Sequence, residues 1–536
     1  MTNGVQHFVG IDVGTGSARA GVFTTDGRML ASAKRDIAIY FEDGEIVEQS
    51  GNDIWRAVCA SVREAVETSG IAPSSIGGIG VDATCSLVVL GDGGRPLAVG
   101  PSEDPERNII VWMDHRAIDQ ARRITQLGHD VLRYVGGTIS PEMETPKLLW
   151  LKENRPATFR DAAHFFDLAD YLTWRASGST ARSSCTVTCK WTYLAHERRW
   201  DPTYFRTVGL GELADEGFAR IGTDIVPPGT RIGGLTDQAA ADMGIPAATP
   251  VAAGLIDAHA GGVGTVGAIG SPAENMAYVF GTSSCTMTTT SQPAFVPGVW
   301  GPYFDAMMPG LWLNEGGQSA AGAAIDRLVA LHPANGAAAK KASEAGLTLL
   351  CYLSRSAVRS DAASEAIRLA DGVHVVPEFL GNRAPFADPA SRAVIAGLGM
   401  DQSENSLVAL YVAGLSGIGY GLRQIIDVQA AHGAPVRRVV ISGGAGQDNL
   451  VRQLLADTSG LPVVVTTADE PVLLGAAILG AIAAGHYPSM QEAMSAMTSA
   501  RTSFEPAKGE IADIHRARFA TFERLQAAAR PVHARS

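Results

Sequence analysis

The chain has 536 residues, which is too long for one hydrophobic core, so about two to four domains are expected. Hydrophobic residues make up 46% and charged residues 18%, a composition that excludes the disordered and fibrous classes. The net charge of −12 argues against general binding to nucleic acid or anionic lipid, although backbone amides and helix N-termini can hold phosphate without a cationic excess.

The cysteines and the N-terminus bear on the cellular compartment. The six cysteines, Cys59, Cys85, Cys185, Cys189, Cys285 and Cys351, form no C-x-x-C pair and no zinc-ligand pattern, and scattered thiols are typical of a reducing cytoplasm. The N-terminal sequence MTNGVQHFVGIDVGTGS lacks the basic region and apolar run of a signal peptide, and the uncharged apolar stretch 472–485 is too short to span a bilayer. We therefore expect a soluble, cytoplasmic protein with no membrane or nucleic-acid partner.

The first predicted elements along the chain are strands. HFVGIDVG is a short apolar run that ends in glycine, and AGVFT and MLASAKRDI follow it after short turns, which predicts two or three antiparallel strands. Residues 52–69 have apolar side chains at helical spacing, with Asn52 or Asp53 as the N-cap. The sequence IGGIGVDAT then predicts a buried strand that enters a loop.

A pattern near the N-terminus recurs in the second half. Residues 8–23 and 278–290 both indicate a strand, a turn of glycine and hydroxyl residues, and a second strand. Their Gly-Thr pairs, Gly14-Thr15 and Gly281-Thr282, are 267 residues apart, about half the chain. A duplicated domain would give this offset, although a match of four small residues also arises by chance. The boundary would lie in the Gly-rich stretch 264–271, and a cleft between two domains commonly binds a small ligand.

The first turn has the composition of a phosphate site. Asp12 ends an apolar strand, and the residues after it include Gly14, Thr15, Gly16, Ser17 and Arg19. Glycine lets the backbone approach an oxyanion, and amides and hydroxyls can hold phosphate oxygens, with Asp12 where a magnesium ion would bridge them. A simple β-hairpin turn is the alternative. The sequence Gly281-Thr282-Ser283-Ser284 offers a second cradle, whereas no Walker loop and no protein-kinase H-R-D or D-F-G set occurs.

Three later segments complete the candidate chemistry. SGGAGQDN (442–449) separates a predicted strand, RRVVI, from a predicted helix, which is a common arrangement at nucleotide sites. The small-residue segment 471–485 predicts a tightly packed core helix. Asp257 follows an apolar strand and precedes a Gly-rich stretch, so its carboxylate at the mouth of a cleft could accept a proton from an alcohol, with an N-cap role as the alternative. His259 is predicted to pack or hydrogen-bond rather than to act as the base.

In this order, the motifs resemble the FGGY family of carbohydrate kinases, within the actin-like, ribonuclease-H-like superfamily. The segments that carry the resemblance are residues 12–19, Asp257, Gly281-Thr282, GNRAPFADPASRAVIAGL (381–398), SGGAGQDNLVRQLLAD (442–457) and EPVLLGAAILGA (470–481). The resemblance implies an α/β fold of two ribonuclease-H-like domains with a ligand cleft between them. It implies a sugar-binding domain over residues 1–264, a nucleotide-binding domain over residues 265–536, ATP and Mg²⁺ as cofactors, and a homodimer.

The resemblance also implies roles for individual residues. Asp257 matches the catalytic aspartate, and Asp12 lies near magnesium, in direct contact or through water. The implied nucleotide-binding residues are Gly14, Thr15, Gly16, Ser17, Arg19, Gly281, Thr282, Gln318, Gly443, Gly444, Ala445 and Asn449. The implied sugar-binding residues are Asp82, Thr84, Cys85, Ser86, Trp112, Asp114, Lys190, Asp257 and Glu315. A surface position for Lys190 and a helix-capping role for Asp114 are the alternatives.

The acceptor is indicated by a finer resemblance. The segments DATCSLV (82–88), VWMDHRA (111–117), GGTISPEMETPKLLWLKEN (136–154), FFDLADYLTW (165–174) and CTVTCKWTY (185–193) resemble the D-ribulose kinase branch. The implied reaction is transfer of the γ-phosphoryl group of MgATP to a terminal hydroxyl of D-ribulose, with L-ribulose, ribitol or D-xylulose as alternative acceptors. A sugar or nucleotide sensor and an actin-like ATPase are the alternatives of other classes. One departure is Asn382, where the family often has a glutamate.

Overall fold

The structure, a computed structural model, describes residues 6–42, 45–359 and 362–533. The strands of its first half are β1 (His7–Val13), β2 (Ser17–Thr24), β3 (Met29–Asp36), β4 (Tyr40–Phe41), β5 (Val47–Gln49), β6 (Ile76–Ala83), β7 (Leu87–Gly91), β8 (Ile109–Ile110), β9 (Ala162–Asp167), β10 (Arg182–Ser183), β11 (Ile225–Val226), β12 (Arg231–Gly234), β13 (Pro250–Ala252) and β14 (Leu255–Ile256). The α-helices of this half are α1 (Gly51–Ser69), α2 (Ile118–Leu127), α3 (Glu144–Asn154), α4 (Pro156–Asp161), α5 (Leu168–Ser177), α6 (Ser184–Trp191), α7 (Pro202–Thr207), α8 (Gly211–Asp215), α9 (Asp237–Met243) and α10 (Asp257–Val266).

The second half begins with a short 3₁₀ turn at Pro272–Glu274. Its strands are β15 (Asn275–Phe280), β16 (Ser284–Thr290), β17 (Trp300–Phe304), β18 (Trp312–Gln318), β19 (His374–Val376), β20 (Val394–Ala396), β21 (Arg438–Ser442), β22 (Val463–Thr466) and β23 (Ala500–Phe504). Its α-helices are α11 (Gly322–Ala330), α12 (Asn335–Glu344), α13 (Leu349–Ala357), α14 (Glu404–Ala431), α15 (Asn449–Ser459), α16 (Pro471–Ala483), α17 (Met490–Met497) and α18 (Glu510–His533).

Each half is built around a mixed sheet with the same central pairing. The first sheet has the order β12-β13-β6-β1-β2-β3, with β14 also paired to β6, and the second has the order β17-β18-β16-β15-β21-β22-β23. In the first sheet β1 is antiparallel to β2 and parallel to β6, and in the second sheet β15 is antiparallel to β16 and parallel to β21. A duplicated domain predicts this correspondence, and the two-domain α/β fold with a cleft between the domains is confirmed.

Local predictions near the N-terminus are largely confirmed. β1, β2 and β3 form the antiparallel set, and β6 is the buried strand. The predicted cap of α1 was wrong, because the helix begins one residue earlier. Ser50 has an extended backbone, and its hydroxyl accepts a hydrogen bond from the amide of Asp53, so Ser50 is the N-cap rather than Asn52 or Asp53.

The predicted core helix in the small-residue segment is α16, which packs against the sheet of the other half. A Cβ atom on Gly10 of β1 would lie 2.0 Å from the carbonyl oxygen of Leu473, and a Cβ on Gly80 of β6 would lie 1.8 Å from that of Ala476. Both contacts are with backbone, which cannot move aside as a flexible side chain can. Glycine at these strand positions therefore lets a helix of the second half lie directly on the first sheet.

The longest helix, α14, has the apolar character of a buried element. Among the described residues it is the helix that is long and apolar enough to cross a membrane, and 78% of its most apolar 18 residues are buried inside the molecule. Its side chains Leu407, Val412, Ile418 and Ile425 belong to the core of the second half together with Val439 of β21. Its composition is accounted for by this packing.

Candidate active site

A cavity of about 330 Å³ lies where the turns and strand ends of the two halves meet. The first half contributes the β1–β2 turn, the loop after β6, α6 and the start of α10, and the second half contributes β15, β16, β17, β18 and the loop after β19. The lining residues are Asp12, Gly14, Thr15, Arg19, Thr84, Cys85, Trp112, Glu142, Lys190, Ile256, Asp257, Ala258, Val279, Ser283, Cys285, Trp300, Glu315, Arg383 and Val472.

The β1–β2 turn presents several of the predicted phosphate-binding residues. It closes through a hydrogen bond of 3.0 Å from the amide of Gly14 to the carbonyl of Ser17. Gly14, Thr15 and Arg19 line the cavity, whereas Gly16 is exposed at the tip. A Cβ on Gly16 would meet nothing within 4 Å, so the space over this turn is open to a ligand.

The turn is fixed by side chains from neighbouring elements. The indole Nε1 of Trp112 donates to the Thr15 hydroxyl at 2.9 Å, and the side-chain Nε2 of Gln49 donates to the Thr15 backbone carbonyl at 2.7 Å. Arg19 forms ion pairs with Asp12 and, at 2.9 Å, with Glu470 of the second half. The predicted phosphate turn is therefore held in one position, and Arg19 links the two halves at its side.

Two acidic side chains, Asp12 and Asp257, line the cavity, and a third, Asp82, is buried beside Asp12. Asp12 and Asp82 are register partners on β1 and β6, and Asp257 is the first residue of α10. Burial raises the pKa of Asp12, against the effect of Arg19, and it raises the pKa of Asp257 to about 6 with a further contribution from the negative charge of Asp12. One oxygen of Asp257 accepts a hydrogen bond of 2.7 Å from the amide of Ala258, which orients the carboxyl group. Asp257 follows the N-cap Ile256 and is not itself the cap.

Asp82, predicted to contact the sugar, is not among the residues that line the cavity. Its side chain is fully buried, and in the described part of the chain neither carboxyl oxygen accepts a hydrogen bond. Burial raises the pKa of Asp82 well above its ordinary value, and the nearby Asp12 and Asp257 add to the shift. The described residues contain no group of three or more His, Cys, Asp or Glu side chains arranged around a metal ion. The two unpartnered oxygens of Asp82, next to the Asp12 carboxylate that lines the cavity, nevertheless fit Mg²⁺, which takes one or two carboxylates together with phosphate and water oxygens.

Lys190 and Glu315 approach the cavity from opposite halves. Lys190 lies in α6 and is only 7% exposed, so the predicted cleft position is found and the surface alternative is excluded. Glu315 lies inside β18, with Oε2 3.3 Å from Nε2 of the fully buried His259. Although burial opposes ionisation, His259 and Lys190 lower the pKa of Glu315 to about 2. The cavity therefore holds an ammonium and a carboxylate ready to bind polar groups.

The loop after β6 is only partly exposed to the cavity. Thr84 and Cys85 line it, and burial raises the pKa of the Cys85 thiol to about 12. Ser86 is fully buried, and its hydroxyl accepts a hydrogen bond from the amide of Trp112 at 3.1 Å. Ser86 thus supports Trp112 rather than facing the ligand space.

Asp114 lies outside the cavity, contrary to the predicted sugar contact. Its carboxylate accepts hydrogen bonds from the amide of Val47 at 2.6 Å and from Arg116 at 2.7 Å, and Arg116 also pairs with Glu48 at 3.0 Å. It does not cap α2 either, because that helix begins at Ile118. A fully buried ion pair occupies both oxygens, so the role of Asp114 is structural.

Gln318 is also committed to internal bonds. Its side-chain amide donates to the carbonyl of Ile418 at 3.0 Å, and its carbonyl accepts from the Tyr278 hydroxyl at 3.0 Å and from the Ser284 hydroxyl at 3.2 Å. The predicted nucleotide contact through this side chain is not supported, since its polar atoms join β18 to β15, β16 and α14.

The predicted nucleotide residues of the second half lie beside one another but outside this cavity. In the β15–β16 turn, the amide of Gly281 donates to the carbonyl of Ser283 at 2.9 Å, and the carbonyl of Thr282 accepts from the amide of Ala321 at 2.9 Å, just before α11. Ser283, rather than Gly281 or Thr282, lines the cavity.

The glycine-rich turn after β21 lies against the same place. A Cβ on Gly443 would lie 2.5 Å from the carbonyl oxygen of Phe280, and Gly443 has a φ of 91°, which glycine tolerates. Gly444 and Ala445 begin a short 3₁₀ turn, and Asn449 is the exposed first residue of α15. These residues form a glycine-rich rim next to the turn after β15.

Sequence reasoning did not single out three residues of the cavity wall, namely Glu142, Trp300 and Arg383. Two of them lie within segments that it had marked, since Glu142 belongs to 136–154 and Arg383 to 381–398. The signal available for both was a charged side chain within two residues of a proline, Pro141 for Glu142 and Pro385 for Arg383. Trp300 stands in a separate stretch, and its place in the wall depends on the tertiary fold.

Comparisons with known proteins agree with the two-domain fold. Residues 7–264 match the N-terminal domain, and residues 276–484 the C-terminal domain, of the FGGY family of carbohydrate kinases. An FGGY carbohydrate kinase domain-containing protein of Danio rerio is 43% identical over 535 residues, with 97% of each chain covered. A D-ribulokinase of Saccharomyces cerevisiae is 38% identical over 526 residues, covering 91% of this chain and 73% of its own. In fold, the chain is similar to a xylulose kinase from Rhodospirillum rubrum, with a TM-score of 0.83, 21% identity and coverage of 99% and 100%.

Proposed function

Since the chain belongs to the FGGY family of carbohydrate kinases, we propose that it phosphorylates a pentulose with ATP, and that the acceptor is D-ribulose. The observation that carries this proposal is that Asp257 lines one cavity together with Arg19 of the phosphate turn and the polar pair Lys190 and Glu315. The similarity to the yeast D-ribulokinase supports the choice of acceptor. The implied products are ADP and D-ribulose 5-phosphate.

In the proposed reaction, a terminal hydroxyl oxygen of the sugar forms a bond to the γ-phosphorus while the bond between that phosphorus and the β,γ-bridging oxygen breaks. The electrons of the broken bond go to ADP, and the hydroxyl proton goes to the carboxylate of Asp257. Its carboxyl oxygens are oriented by the amide of Ala258, as a general base requires. Because such transition states are loose, positioning and charge neutralisation contribute most of the catalysis.

The chain's own donors supply part of that neutralisation. We assign the γ-phosphate to the β1–β2 turn, where the Thr15 hydroxyl, the open backbone at Gly16 and the Arg19 guanidinium are available, with Ser17 closing the turn. Asp12, with Asp82 beside it, would hold Mg²⁺, which when bound supplies positive charge against the phosphate oxygens. We place adenosine on the rim formed by Gly281, Thr282, Gly443, Gly444, Ala445 and Asn449. The sugar-binding and nucleotide-binding domains of this proposal are residues 1–264 and 265–536.

The acceptor end of the cavity has the chemistry that a ketose needs. Each sugar hydroxyl can donate to a carboxylate and accept from a cation, and Glu315 and Lys190 offer one of each. A site that hydrogen-bonds several hydroxyls rejects analogues that lack them, because its own polar groups would then be left unpaired. These groups therefore favour a polyhydroxylated acceptor over a simple alcohol.

The test is coupled measurement of ADP release with MgATP across D-ribulose, L-ribulose, D-xylulose, ribitol and glycerol. The proposal expects the highest kcat/KM for D-ribulose. A clear preference for another acceptor would contradict the assigned sugar while leaving the phosphoryl transfer in place. Failure of every acceptor to increase ADP release, with the folded protein still binding ATP, would favour a sensor on this fold.

A further inference from the structure

Trp300 lies close to two cations in the wall of the cavity. The Nζ atom of Lys190 lies 5.6 Å from the centroid of the indole ring, and the Cζ atom of Arg383 lies 5.5 Å from it. Both distances are within the range of cation–π attraction. Lys190 belongs to the first half, whereas Trp300 and Arg383 belong to the second, so this contact joins the halves across the acceptor end of the cavity.

Both cations have hydrogen-bonding capacity left over. Among the residues that the structure describes, neither has a carboxylate oxygen within 4.0 Å. The hydrogen bond from Arg383 that the structure contains runs from Nη1 to the thiol sulfur of Cys285 at 3.7 Å, and sulfur is a weak acceptor. A guanidinium carries five N–H donors, so most of them remain for a ligand in the cavity.

Two carboxylates stand near the same cations. Although burial acts against ionisation, His115, Lys190 and Arg383 hold the pKa of Glu142 below its ordinary value, and Arg383 also contributes to the low pKa of Glu315. Two carboxylates and two cations therefore share the acceptor end. A neutral chain of hydroxyl and carbonyl groups satisfies such a set, whereas a carboxylate on the acceptor would meet Glu142 and Glu315 unfavourably.

We propose that Arg383 and Trp300 determine acceptor specificity, by contacting the end of the sugar that is distant from the hydroxyl to be phosphorylated. This inference rests on the proposed sugar kinase function and extends it. Arg383 donates to hydroxyl or carbonyl oxygens of the sugar, and the Trp300 ring holds the Arg383 guanidinium and the Lys190 ammonium at the cavity wall by cation–π attraction. Because two of these three residues come from the nucleotide half, a bound sugar contacts both halves even before ATP binds.

The loop that carries Arg383 is held by a polar network that reaches α18. Glu378 accepts hydrogen bonds of 2.6 Å from the side-chain amides of both Asn382 and Gln526. The side-chain Oδ1 of Asn382 accepts a hydrogen bond from the backbone amide of Phe386 at 3.0 Å. This explains the departure at position 382, because a glutamate there would face the carboxylate of Glu378. Gln526 lies beyond residues 276–484, so α18 supplies a positioning residue from outside the matched family domain.

The test compares Arg383→Gln, Arg383→Lys and Gln526→Ala with the exposed control Arg392→Gln in the same loop. The KM for D-ribulose and for MgATP, kcat, and calorimetric binding of D-ribulose without nucleotide are measured for each folded variant. We expect Arg383→Gln to raise the KM and Kd for D-ribulose about tenfold or more, since a polar contact made only through this side chain is lost. The KM for MgATP should stay within about twofold.

The other variants distinguish a side chain that contacts the sugar from one that positions the loop carrying Arg383. Arg383→Lys should recover part of the affinity, Gln526→Ala should weaken sugar binding by a smaller factor, and Arg392→Gln should behave as the wild type. Unchanged D-ribulose affinity in folded Arg383→Gln, or a preference of the wild type for D-gluconate over D-ribulose, would overturn the inference. If the wild type phosphorylates none of the acceptors, the proposed function fails instead, and direct sugar binding still reports on Arg383.

Discussion

The imidazole Nε2 of the fully buried His259 lies 3.3 Å from Oε2 of Glu315 in the wall of the cavity. The other ring nitrogen lies 3.1 Å from the sulfur of Cys185, and these two partners raise the pKa of His259 to about 10 against the effect of burial. His259 is therefore charged at neutral pH, and it keeps Glu315 ionised and fixed at the cavity wall. The proposed base is Asp257, two residues earlier, and His259 serves to position Glu315, the carboxylate that we propose binds the sugar.

Replacing His259 is expected to weaken sugar binding and to make it depend on pH. In His259→Gln the pKa of Glu315 should rise, because the main group that lowers it is gone, so the KM for D-ribulose should increase as the pH falls through the mildly acidic range. The wild-type KM should stay flat there, since its Glu315 titrates near pH 2. Measuring KM from pH 5 to 8 tests this. Parallel profiles for variant and wild type would exclude the positioning role.

Removing the assigned base is expected to reduce turnover strongly. Asp257→Asn should lower kcat by roughly 10²–10⁴-fold, the usual contribution of a positioned proton acceptor, because no carboxylate remains to take the hydroxyl proton. Binding of MgATP should persist, and the exposed Asp513→Asn, in α18, is the control. Near-normal kcat in a folded Asp257→Asn enzyme would remove this residue from its role.

The pH dependence of the wild type follows from the raised pKa of Asp257. The base must be ionised to accept a proton, so activity should be present above a pH of about 6 and lost as the pH falls through that value. An ordinary aspartate would place the loss about two units lower. The kcat/KM for D-ribulose, measured at saturating MgATP, reports this limb. An acid limb near pH 4 would show that Asp257 is not the titrating group.

Magnesium dependence tests the pair Asp12 and Asp82. Chelation should abolish turnover, and Mg²⁺ should restore it. Asp12→Asn should raise the Mg²⁺ concentration for half-maximal activity by about tenfold or more, since one anionic ligand is lost. The thermal stability of Asp12→Asn is measured as well, because the substitution also removes the ion pair between Asp12 and Arg19. An unchanged Mg²⁺ requirement in the variant would place the ion elsewhere.

The packing of α16 on the first sheet gives a stability prediction. Gly80→Ala would put a methyl group 1.8 Å from the carbonyl oxygen of Ala476, so the helix or the strand must shift, and overpacking of this kind costs about 1–3 kcal/mol or more. The melting temperature should fall by several degrees. The matched control is Gly336→Ala in the exposed first turn of α12, where a Cβ meets nothing within 4 Å and the change should be neutral or slightly stabilising. Equal melting temperatures for the two variants would contradict the close approach.

The fold was largely predictable from local patterns and ordered motifs. The β1–β2 turn, the strand before Asp82, the helix α16 and the position of Asp257 after an apolar strand are all visible in short windows of sequence. Apart from the N-cap of α1, the errors concern residues whose partners are distant along the chain. Gln318 is engaged by Ile418, one hundred residues away, and Asp114 by Val47. Glu142 and Arg383 likewise reach the same cavity only after the two halves have come together.

The position of α16 also constrains how the chain can acquire its structure during synthesis. Gly10, Gly78 and Gly80 present a bare stretch of backbone on β1 and β6, and the helix that covers it lies about 400 residues later, at Pro471–Ala483. The ribosome must therefore synthesise most of the chain before this face of the first sheet can be covered by its helix. An N-terminal fragment cut at residue 264 should expose this surface and aggregate, whereas supplying residues 265–536 as a second polypeptide should restore solubility to both.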